Sequence, residues 1–153
     1  MSFYERINTA GLVTSLIVLA WYGLQVVPQM GTTPVSEIAY TGPMIIAVVV
    51  GVILSVITAV LVSIGSAIWL TVKEGKDAVD AEFGNEDERD KHFGRLGDAV
   101  GGHVLSVAVI LALALIWMEF ETFWVANGLF VGAWLSAAIG TVVKLFAYRG
   151  AFG

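Results

Sequence analysis

Cysteine is absent from the chain, which excludes disulfides, Cys-ligated zinc, iron–sulfur sites, thiol redox chemistry and S-palmitoylation. Charge is scarce: 14% of residues are Asp, Glu, Lys or Arg, against roughly 25% in ordinary soluble domains. Histidine occurs only at 92 and 103, and proline only at 28, 34 and 43. No Ser/His/Asp order, phosphate loop or basic nucleic-acid patch is present, so the sequence predicts neither an enzyme nor a nucleic-acid partner. Small four-helix membrane architectures are tested by the same absences. A multidrug exporter needs a carboxylate inside its first helix, and Glu5 lies before the apolar run. Quinone–disulfide enzymes need cysteines. A haem cytochrome needs paired axial histidines, and His103 is the single histidine in an apolar stretch. No cofactor is expected.

Long apolar runs are what the chain has instead. Hydrophobic residues make up 58% of it and are gathered into blocks. A helix crossing a hydrocarbon core of about 30 Å needs about 20 mostly apolar residues. The segments 9–27, 44–72, 98–118 and 125–147 meet that requirement. With only short connections between them, 1–153 reads as a single all-α, four-helix transmembrane domain. The first run is preceded by Arg6 as a secretory signal would be. It is longer than a signal core and no small-residue cleavage site follows, so it is expected to be retained.

Positive charge is one-sided. Arg6, Lys73, Lys76, Arg89, Lys91, Arg95, Lys144 and Arg149 all fall at one end of the expected helices. The connections 28–43 and 119–124 carry only Glu37, Glu119 and Glu121. Basic residues beside spans stay in the cytoplasm, which predicts a multi-pass inner-membrane protein with cytoplasmic N- and C-termini. Trp21, Tyr22, Trp117 and Trp124 would mark one interface and Trp69 and Tyr148 the other.

Between 73 and 97, five basic residues oppose eight acidic ones, which disfavours a dedicated anionic-lipid or nucleic-acid site. Asn85 with Glu88 has the form of a helix start, so the third helix is expected over 86–118 with a charged cytoplasmic extension. Glu88–His92, Asp87–Lys91 and Arg95–Asp98 are at pairing distance along it. Glu88 and His92 with Glu82 and Asp87 fall short of a metal-ligand pattern, and the segment reads as a solvated helix face. Asp98 is expected to pair with Arg95 at headgroup level. The run Asp87, Glu88, Arg89, Asp90, followed by "GRLGDAVGGHVLSVAV", resembles a group of small predicted prokaryotic membrane proteins of unknown function. In those proteins a D-E-R-D motif precedes a helix on the cytoplasmic side. The resemblance covers about 30 residues and implies no activity; it marks the charged segment as a feature of its own, suited to docking a partner chain through paired charges.

Gly128, Gly132, Ser136 and Gly140 recur every four residues, and Gly51, Ser55, Ala59, Ser63 and Ala67 do the same in the second run. Such stripes let helix backbones approach closely, within one chain or between copies; together they predict a homo-oligomer. A tandem two-helix repeat is a further candidate, because "IGSAIWLTVKEG" and "IGTVVKLFAYRG" align at an offset of 75 residues, placing Gly65 on Gly140 and Gly75 on Gly150. His103 and Asn127 are the polar groups expected at membrane depth, with Asp98 near the surface. The function expected first is a non-enzymatic accessory or interaction subunit. It would assemble through the stripes and through Asp87–Asp90, with a membrane-protein partner beside the lipid bilayer. The alternative is a small oligomeric ion or proton-linked channel or transporter using His103, Asp98 and Asn127.

Overall fold

The computed structural model describes residues 3–75 and 88–150. Its long helices are α1 (Phe3–Val26), α2 (Thr41–Glu74), α3 (Glu88–Trp117) and α4 (Thr122–Tyr148). Each is long and apolar enough to cross a membrane, the make-up of a multi-pass membrane protein. In hydrocarbon every backbone N–H and C=O must be satisfied within the segment, which leaves such runs no alternative but the helix. Asn85–Asp87, the expected helix start, lie outside the described residues.

α1 begins earlier than the apolar pattern indicates. The residues before position 9 are helical from Phe3, and the polar residues that hid this turn back on their own helix. The Asn8 amide donates to the Tyr4 carbonyl at 2.8 Å and the Thr9 hydroxyl to that of Glu5 at 2.7 Å. α2 carries Pro43 in its first turn, where no intrahelical donor is lost. Its 34 residues span about 51 Å at 1.5 Å per residue, far more than a bilayer core, so it must either tilt or project beyond it.

α3 closes in a Schellman motif. The Glu119 N–H donates to the Ile116 carbonyl and the Phe120 N–H to that of Leu115, both at 3.0 Å. Glu119 itself takes the left-handed conformation, φ 58°, a position that usually holds glycine. α2 and α4 end on glycines with positive φ, Gly75 at 92° and Gly150 at 80°.

Successive helices run antiparallel, which puts the starts of α1 and α3 and the ends of α2 and α4 together, at the basic end. α3 and α4 share the most extensive interface, α1 and α2 the next, and α1 joins the two hairpins by packing on α4. The core lies in the half away from the basic end. There Val18, Tyr22 and Val26 of α1 meet Ala47 of α2, Phe123 and Phe130 of α4, and Ile38 of the connecting segment. That segment is two short 3-10 turns, Val27–Gly31 and Val35–Glu37. Gln29 pins it, accepting from the Ala39 N–H at 3.0 Å and donating to the Gln25 carbonyl at 2.7 Å. Tyr40 closes the lid edge-on against Phe123, ring centres 5.2 Å apart.

Candidate functional site

The α4 stripe is occupied within the chain. Gly140 lies against Gly97 so closely that a Cβ on Gly140 would stand 2.7 Å from the Gly97 carbonyl oxygen. One turn on, Ser136 donates to the Gly101 carbonyl at 2.7 Å. Gly132 faces Ala108, and Gly128 faces Leu115. The matching stripe on α3 is therefore Gly97, Gly101, Ala108 and Ala112. Its four- and seven-residue spacing was present in the sequence, but the adjacent Gly94 and Gly102 obscured which glycines belonged to it.

On α2 the packed row differs from the expected one. Ala47, Gly51, Ser66 and Leu70 are buried, whereas Ser55 is exposed and donates to the Gly51 carbonyl of its own helix at 2.7 Å. Gly51 has a specific use: the Trp134 indole of α4 lies on it, 2.9 Å from where a Cβ would be. Thr58, between the two rows, meets Thr14 of α1 hydroxyl to hydroxyl at 3.1 Å. The glycines that the repeat would equate differ in setting, Gly65 standing open and Gly140 being packed against backbone. Gly75 and Gly150 both take positive φ at a helix end, Gly75 as the cap of α2 and Gly150 one residue beyond the cap of α4.

The three polar groups of the expected ion path do not converge. Asn127 accepts a short hydrogen bond from the Tyr22 hydroxyl of α1 and donates to the Phe123 carbonyl at 2.8 Å. Tyr22, which the sequence suggests only as an interfacial aromatic, is thus its buried partner. Asn127 is level with the residues around Leu115, some twelve residues or about 18 Å along α3 from His103. Asp98 is paired with Lys144 of α4 at 2.7 Å and not with Arg95. The long Lys144 side chain crosses the Gly97 seam to reach it, a route the missing Cβ leaves open. Beside this pair is a groove of about 290 Å³ lined by Gly97, Gly101, Gly102, Ser136, Gly140 and Thr141.

His103 is turned away from the bundle. It is exposed on α3, and the single hydrogen bond it makes among the described residues is from its ring Nδ1 to the Ala99 carbonyl, at 2.7 Å. A carbonyl can only accept, so Nδ1 carries the proton and Nε2 of the neutral ring is a bare acceptor. Ser106, one turn along, is also exposed and donates to the Gly102 carbonyl at 2.9 Å.

In the charged segment Asp87 lies outside the described residues and the other three motif residues have partners within the chain. Glu88 takes Lys91 at 2.9 Å rather than His92. The Arg89 guanidinium sits 5.2 Å from the Phe93 ring centre. Asp90 accepts from the Tyr148 hydroxyl at 2.7 Å, and Tyr148 meets Phe93 edge-on at 5.1 Å. These contacts tie the start of α3 to the end of α4. On the other hairpin, Arg6 and Lys73 approach the Trp69 ring at 5.5 and 4.6 Å, a cation–π cluster at the same end. Compared with models of protein families, with curated proteins and with solved structures, the chain matches none.

Proposed function

We propose that this is a non-enzymatic accessory subunit of the prokaryotic cytoplasmic membrane that works by assembling with other membrane chains. Both termini and the 75–88 connection would lie in the cytoplasm, as the one-sided basic residues favour. The observation that carries the reading is His103. A polar ring at span depth that faces away from its own bundle needs a partner from outside the chain, because lipid tails offer no hydrogen bond. Two other polar groups at depth are satisfied inside the bundle, Tyr22 with Asn127 and Ser136 with the Gly101 carbonyl. The D-E-R-D segment has a more local part here than docking alone, since Asp90 holds the start of α3 to Tyr148 at the end of α4.

Gentle extraction from native membranes, followed by mass spectrometry of the intact particle, tests this. A complex with itself or with a stoichiometric foreign subunit is the expected result; a bare monomer at native abundance would overturn it. The same residue favours one rival, an oligomeric ion or proton-linked channel in which His103 rings of several copies line a shared path. Flux that disappears or loses its pH dependence in His103→Gln would support the rival.

A further inference from the structure

The outward face of α3 at the level of His103 differs from the outward faces of α1 and α2. Ala99, Gly102, His103 and Ser106 fall within an arc of about 100° and lie opposite the Gly97–Gly101–Ala108 seam, at 100° per residue. All four are exposed, and a Cβ on Gly102 would meet nothing. By contrast, the outward face of α2 is mainly branched aliphatic, with Val52, Val56, Val60, Leu61, Ile64 and Ile68 exposed. α1 shows Leu16, Ile17 and Leu24. Those faces suit lipid; the α3 face is small and polar where lipid would meet it.

Depth makes this costly. His103 is five residues deeper than Asp98 and fourteen from Trp117, about 8 Å and 21 Å along the helix, so it sits inside a hydrocarbon layer of about 30 Å. There its Nε2 lone pair faces a medium without donors. We infer that this face is the contact between two copies of the chain, α3 against α3, with Ser106 of each copy donating to His103 Nε2 of the other. The inference rests on the assembly reading above and names its partner.

The argument for a second copy is self-complementarity at fixed depth. All copies insert with the same orientation, so a two-fold axis normal to the membrane brings the same levels of α3 together. One face then carries an acceptor at 103 and a hydroxyl donor at 106, a single turn apart. The Ser106 hydroxyl, now given to Gly102, rotates to the partner's ring and leaves a carbonyl already bonded within its helix. Ala99 and Gly102 remove the bulk that would hold the backbones apart. No residue of the Gly97–Gly140 seam is needed, so dimer and hairpin do not compete for the same surface.

The absence of cysteine makes the test clean. Single-cysteine chains carrying Ala99→Cys or Gly102→Cys, oxidised in native membranes, should cross-link to dimers, since a disulfide requires Cα atoms within about 7 Å. Val56→Cys on the α2 face should not. Adding His103→Leu to the Ala99→Cys chain should lower the cross-linked fraction about three- to tenfold, the scale of one or two interhelical hydrogen bonds in a membrane. His103→Gln, which keeps an acceptor, should restore most of it. Among the described residues His103 hydrogen-bonds only to Ala99 of its own helix, so thermal unfolding of the monomer should be unchanged in both variants. Dimers from Val56→Cys but not from the α3 positions would overturn the inference, as would indifference to His103→Leu. Cross-linking of Ala99→Cys to a chain of foreign mass would overturn the second copy while leaving the accessory reading standing. A monomer in both the oxidised membranes and the intact particle would remove both.

Discussion

Tyr22 and Asn127 join α1 to α4 through a side-chain to side-chain hydrogen bond. Tyr22→Phe strands the Asn127 oxygen and Asn127→Leu strands the Tyr22 hydroxyl, so each should lower stability by about 1 kcal/mol. The double variant should cost less than the sum, because the second change removes a group already unpaired. Unfolding in mixed detergent reads this, and strict additivity would show the contact to be energetically idle. Glu119 is the opposite case. A non-glycine residue at φ 58° bears a steric cost that glycine avoids, so Glu119→Gly should raise stability by up to about 1 kcal/mol. Asp98 with Lys144 will disappoint any expectation built on its 2.7 Å distance: the Asp98 side chain is 75% exposed, and exposed pairs contribute about 1 kcal/mol at most.

At the scale of the element, the α3–α4 hairpin depends on side chains that are not there. Gly140→Ala would drive a Cβ to 2.7 Å from the Gly97 carbonyl oxygen, and backbone cannot step aside as a flexible side chain can. The expected loss is about 1–3 kcal/mol. Gly65→Ala, in open space on α2, should be neutral or gain up to about 1 kcal/mol from helix propensity. Thermal unfolding of the pair in one detergent decides it; equal behaviour would mean the seam is looser than its geometry. The stripe on α4 was legible as a close-packing device, but its partner was not. Spacing states that two backbones approach, while Gly97 and Gly101 were picked from the four glycines between 94 and 102 only by the direction in which α3 faces.

The whole molecule is two hairpins joined through α1 and α4, and its orientation can be read with the cysteine-free background. Thr33→Cys should react with an impermeant thiol reagent added outside intact cells, and Gly75→Cys only after the membrane is opened. The reverse pattern would invert the assignment from the basic residues. Helix number, approximate spans and the gathering of positive charge at one end were determined by composition alone. A bilayer admits few backbone solutions, and a run of apolar residues long enough to cross it has to be helical. Which faces meet was decided by tertiary structure. Asp98 chose Lys144 over Arg95, Asp90 chose Tyr148, and His103 turned outward rather than into the bundle. Within lipid, the hydrophobic effect does not distinguish one apolar helix face from another. The choice falls instead to close packing and a few hydrogen bonds, and these exist only once two helices are side by side.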